Sequence, residues 1–158
     1  VETFEEINSY LLSLIPKEEL ERVFRSDSAA DICVDFLCFA DIYYNLSKII
    51  PKDFTVIDIG CGYNAQSYFF KDFKKVYSVT PFNNRRDYKF EYFCAPNCTL
   101  LDMTAGRFLK EVLPTLNIDL SKSFAICNYV PNWYKEKPME LVSHTFQNHY
   151  VFFPNALL

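Results

Sequence analysis

Glycine is scarce in this chain, with 3 in 158 residues, and no internal repeat or low-complexity tract is present. No apolar run reaches the length of a membrane-spanning helix, and no basic-then-apolar start marks a signal peptide, so no membrane partner is expected. Positive charge is in deficit: 16 Lys and Arg stand against 20 Asp and Glu, for a net charge of −4. A general nucleic-acid binder needs a basic footprint, so nucleic acid is not expected as a partner. The local clusters Lys71, Lys74, Lys75 and Arg85, Arg86, Lys89 read first as solvated faces, and second as a groove for an anionic substrate. A complete zinc set is missing as well. Cys94-x3-Cys98 has no partner pair, and His144 and His149 are too far apart to share a helical face, so no metal is expected. Neither a Ser-His-Asp set nor a carboxylate pair suggests itself, and no catalytic residue is named. The chain opens on Val1 rather than Met, so the natural N-terminus is expected to be processed or to lie outside this sequence.

What is present is apolar and aromatic. Half of the residues are hydrophobic, with 16 Phe and 11 Tyr. That length and composition suit one domain with a real core. The chain is too long and too apolar for a disulfide-stapled mini-protein. Four of the 6 cysteines, Cys33, Cys38, Cys61 and Cys127, lie among apolar residues, where cysteine acts as a small hydrophobe. Reduced thiols and a cytoplasmic location are expected.

The first third of the chain patterns as helix. Phe4, Ile7, Leu11 and Leu14 form a helical stripe, and Thr3 with Glu6 fits a capping box. Pro16 breaks this run. A short helix is expected over Glu18–Arg25, a turn at Ser26–Ser28, and a longer helix over Ala29–Ile49, ended by Pro51. From there strands and helices alternate. Strands are expected at Phe54–Ile59, Lys75–Val79, Cys98–Leu101, Phe124–Cys127 and His149–Phe153. Helices are expected at Ala65–Lys71, Gly106–Leu113 and Lys137–Phe146, with a polar loop or broken helix at Asn83–Lys89. Such alternation predicts an α/β, doubly wound, mainly parallel sheet of order 3-2-1-4-5. Residues 1–50 would be a helical segment packed on that sheet, and residues 51–158 the core.

Two of the three glycines fall in one place, TVIDIGCGYNA at Thr55–Ala65. A strand ending in Gly-X-Gly lets backbone N–H groups approach a ligand, because glycine has no Cβ and accepts positive φ. The plainer alternative is a tight strand-to-helix turn with no ligand. The pattern resembles the first motif of the class I S-adenosylmethionine-dependent methyltransferases, which share a Rossmann-like fold. The resemblance spans roughly residues 37–153 and is concentrated in this motif. It implies S-adenosylmethionine as cofactor and methyl transfer to an unidentified acceptor. By the resemblance, Asp58 would orient the glycine loop and accept from the cofactor's ammonium. Gly60, Cys61 and Gly62 would pass under its methionine part, flanked by Tyr63 and Asn64. The competing reading of Asp58 is a buried acid satisfied by nearby N–H groups. Leu100-Leu101-Asp102-Met103 resembles the family's next acid, with Asp102 toward the adenine amino group and Met103 packing on the ring. A turn or helix-cap role fits Asp102 as well.

The departures are informative. Asn64 replaces the motif's third glycine, and Asn tolerates left-handed backbone. The second strand ends Val79-Thr80-Pro81, where the family has an acid for the ribose hydroxyls. Thr80 carries no charge, so that acceptor is missing unless Asp87 folds back. Asn128-Tyr129-Val130-Pro131-Asn132-Trp133 resembles the Asn/Asp-Pro-Pro-aromatic motif of amino-methylating members, without the Pro-Pro pair and with longer spacing. Asn128 would border the cofactor, and Tyr129 and Trp133 the substrate, or Trp133 and Tyr134 would cover the sheet end. The family's sheet has seven strands and this chain stops soon after the fifth, so either the protein is short or the sequence lacks the last hairpin. A second reading is therefore a methyltransferase-like binding or regulatory protein without catalysis, serving a protein partner. A dinucleotide oxidoreductase ranks lower, because Ala65 and Thr80 stand where its third glycine and its acid belong.

Overall fold

The run TVIDI forms a strand, β1 (Thr55–Ile59), buried at every position. The structure is a computed structural model and describes residues 2–14, 18, 40–62, 64–81, 93–128, 130 and 135–153. β1 is apolar but for Thr55 and Asp58 because it is the central strand. β2 (Lys75–Val79) lies on one side of it and β4 (Ser123–Asn128) on the other. β3 (Cys98–Leu101) flanks β2, and β5 (His149–Phe152) flanks β4. All pairings are parallel and the order is β3-β2-β1-β4-β5. This is the doubly wound, Rossmann-like order that the resemblance to class I methyltransferases implies.

Successive side chains of a strand point to opposite faces, so each strand feeds two cores. Val56, Val76 and Ile126 join a cluster with Ile7, Leu11, Tyr43 and Phe70. Ile57, Ile59 and Cys127 join a second cluster with Phe108, Val142 and Phe146. The first face is covered by α1 (Phe4–Ser13), α2 (Ala40–Ile49) and a 3-10 helix, Ala65–Phe70. α1 begins at the expected capping box: Glu6 N–H donates to Thr3 Oγ1 at 3.2 Å, and Thr3 N–H to the Glu6 carboxylate at 3.1 Å. The second face is covered by α3 (Ala105–Arg107) with its continuation, and by α4 (Pro138–Thr145).

Two helices differ from the sequence expectation. Ala65–Phe70 is 3-10 rather than α, since Ser67 turns both its N–H and its Oγ onto Asn64 O, three residues back. The expected Gly106–Leu113 helix changes geometry along its length. α3 passes into a π-helical turn at Phe108–Val112 and a 3-10 turn at Leu113–Thr115, where Pro114 has no N–H to continue the ladder. All but Glu18 of the expected helix at Glu18–Arg25, the Ser26–Ser28 turn, the first half of the Ala29–Ile49 helix and the Asn83–Lys89 segment lie outside the described residues. No helix among the described residues is long and apolar enough to cross a membrane.

Candidate functional site

The turn after β1 holds three residues at positive φ: Gly60 at 73°, Gly62 at 58° and Asn64 at 65°. Glycine meets that demand without strain, and asparagine is one of the few other residues that tolerate it. Gly60 N–H donates to Val79 O at 2.7 Å and Cys61 N–H to the same oxygen at 3.3 Å. These two amides therefore tie the turn to the end of β2. The Asn64 side chain faces away from the strand ends, donating from Nδ2 to Phe93 O at 3.0 Å and to Cys98 Sγ at 3.4 Å. Tyr63 lies outside the described residues.

Some of the buried polar groups with unmet bonding capacity among the described residues lie at the ends of β1 and β4. Asp58 is 2% exposed. Gln66 Nε2 donates to its Oδ2 at 2.7 Å and to Cys61 O at 2.8 Å, while Asp58 Oδ1 has no partner among the described residues. Asn128 is also buried, and among the described residues neither polar atom of its amide is bonded. Asp58 pairs with Ile126 in the sheet register, which puts Asn128 beside the glycine turn. Burial pushes the Asp58 carboxyl up to about 7, against a smaller lowering by Gln66. The Cys127 thiol is pushed up to about 12 by burial and then by the negative charges of Asp58 and Glu136, so it stays protonated.

A cavity of about 580 Å³ opens at the carboxyl ends of β1, β2 and β3. Ligands of open α/β sheets bind at this end of the strands, and the volume is that of a small-molecule pocket. β1 contributes Ile59 and Gly60, and β2 contributes Val79 with Pro81. Met103, Thr104 and Ala105 follow β3, and Val130 follows β4. Charge is supplied by Lys110, Lys135 and Glu136. Of the residues singled out in the sequence, Gly60 and Met103 are on this wall. Asp58, Cys61, Gly62, Asn64, Thr80 and Asn128 are buried and are not on it. Thr80 N–H bonds Leu101 O at 3.1 Å, and Asp102 is half-buried. Tyr129, Trp133, Tyr134 and Asp87 lie outside the described residues.

Val130, Gly106 and Glu136 were not legible as site residues. A Cβ on Gly60 would fall on Val130 Cγ2, so the glycine gives that side chain its seat. Gly106 does the same for Glu136, whose Oε2 accepts from Gly106 N–H at 3.0 Å. The signal was the third glycine, isolated in a chain that otherwise avoids glycine. Among the described residues no group of three or more His, Cys, Asp or Glu is placed to hold a metal. Cys94 instead donates from Sγ to Cys98 O at 3.2 Å, and both thiols are free.

No family model and no curated protein matches the sequence. Among solved structures, a protein of Anaeromyxobacter dehalogenans assigned as a type II methyltransferase is similar at 18% identity and TM-score 0.46, over 68% of this chain and 42% of that one. The plantazolicin methyltransferase BamL, in complex with a triazolic desmethylPZN analogue and SAH, is similar at 12% identity and TM-score 0.45. That match covers 91% of this chain and 54% of BamL, so this chain spans about half the length of either protein. Neither likeness bears on the chemistry of the site.

Proposed function

We propose that this chain binds S-adenosylmethionine in the cavity at the ends of β1, β2 and β3 and acts as a methyltransferase domain. One observation carries the reading: Gly60, the first residue of the positive-φ turn that closes β1, lines a cavity that Met103 also lines. The nucleoside end of the cofactor fits this wall. Val79, Pro81 and Met103 offer apolar surface to a flat ring, and Gly60 has no side chain to obstruct it. When bound, the cofactor supplies a methyl group already activated on a sulfonium. The chain's own residues then have to align the acceptor and exclude water, which requires no acid–base pair. The unpaired atoms of Asp58 and Asn128 lie at the strand ends that border such a ligand.

A second reading, a methyltransferase-like binding or regulatory protein without transfer, is favoured by one contact. Val130 packs directly on Gly60, over the part of the turn that the resemblance gives to the methionine portion. Titration calorimetry with S-adenosylmethionine and S-adenosylhomocysteine tests binding. Both ligands are expected to saturate a single site. No heat from either ligand at millimolar concentration would end the methyltransferase reading and leave the binding or regulatory one.

A further inference from the structure

Glu136 is the one carboxylate on the cavity wall among the described residues. Its Oε2 accepts from Gly106 N–H at 3.0 Å, and no other hydrogen bond involves it among those residues. A Cβ at Gly106 would stand 2.6 Å from that oxygen, so a glycine is what lets the carboxylate dock there. The bond pins the side chain and leaves its second oxygen available. Two ammonium groups share the wall, Lys135 next in sequence and Lys110. Neither makes an ion pair among the described residues. Lys110 sits on the π-helical turn Phe108–Val112, a geometry that recurs at functional sites.

The glycine turn offers nothing comparable. Asp58 is buried, bonded to Gln66 and not on the wall, the amides of Gly60 and Cys61 are given to Val79 O, and Val130 covers Gly60. Among the described residues, a wall with one anchored anion and two cations outside any ion pair complements a zwitterion. Thr104 is the other polar side chain on the wall and carries no charge, so among the described residues these three are the groups that can offset both charges of an α-amino acid group.

We propose that Glu136, Lys110 and Lys135 recognise the amino-acid end of the cavity's ligand, Glu136 taking the α-ammonium and the lysines the α-carboxylate. This rests on the reading that the cavity holds S-adenosylmethionine. Glu136 is already ordered by Gly106, so it loses little rotamer freedom on binding. The contacts formed are charge-assisted hydrogen bonds, the stronger kind.

The test pairs a shortened ligand with side-chain changes. S-adenosylhomocysteine and 5′-methylthioadenosine, which lacks the amino-acid end, are titrated by calorimetry into the parent, into Glu136→Gln and into a Lys110→Ala/Lys135→Ala variant. Glutamine keeps an acceptor for Gly106 N–H, so the loop's attachment is preserved. The parent is expected to bind S-adenosylhomocysteine at least about tenfold more tightly than 5′-methylthioadenosine. Each variant should lose about tenfold toward the first ligand and stay within about twofold toward the second. Equal parent affinity for the two ligands overturns the proposal and leaves the cavity reading intact. So does an equal loss toward both ligands in the variants, which is the mark of a merely structural role. A parent that binds neither overturns the proposal together with the cavity reading.

Discussion

An aspartate 2% exposed, with one oxygen bonded to Gln66 and the other unpaired, is costly to ionise. Burial raises the Asp58 carboxyl from 3.8 to about 7. Between those values the folded state holds a proton that the unfolded state has released. The contribution to stability is therefore complete below the lower value and is lost as pH rises through the upper one. Asp58→Asn removes the titration and keeps an acceptor for Gln66. In urea unfolding, the stability of the parent minus that of Asp58→Asn should fall by on the order of a few kcal/mol between about pH 4 and pH 7.5, then level off. A difference that is flat or climbs over that interval would show a carboxylate already ionised in the fold. At this scale the sequence revealed residues whose type is dictated by backbone: Gly60, Gly62 and Asn64 all sit at positive φ. It did not reveal Val130 or Glu136, whose positions depend on glycines far away along the chain.

The elements were legible to the degree that a side-chain pattern defines them. All five strands were expected within one residue at each end, because each is a short apolar run between polar turns. The two altered helices were not, since a six-residue 3-10 helix and an α-helix present much the same short apolar pattern. The π turn at Phe108–Val112 has no composition signal of its own. In α1 the stripe Phe4, Ile7, Leu11, Leu14 is unevenly buried. Leu11 is 2% exposed in the core shared with Tyr43 and Phe70, whereas Leu14 is 45% exposed at the helix end. Leu11→Ala should then cost about 2–5 kcal/mol of unfolding free energy, the range for a buried leucine. Leu14→Ala should cost less than about 0.5 kcal/mol. Guanidinium denaturation of both variants checks this. Equal losses would mean that α1 does not dock on the sheet through the Leu11 face.

For the whole molecule, sheet order sets where chemistry is possible. With β1 central and β2 and β4 beside it, the carboxyl ends of the strands converge on one edge, and the cavity opens there beside β1, β2 and β3. The order itself was legible, because alternating strands and helices with right-handed crossovers leave few arrangements. The charge at the site was not, because a net charge of −4 describes the chain and says nothing of two lysines lining one cavity. A ligand entering from that edge would lie with its apolar part against Met103 and its charged end toward Glu136. The most direct test is a crystal structure of the protein with S-adenosylhomocysteine at saturating concentration. The account predicts adenine between Val79, Pro81 and Met103, and the amino-acid end within hydrogen-bond reach of Glu136. A crystal with no ligand in this cavity, or with ligand elsewhere on the protein, would contradict it.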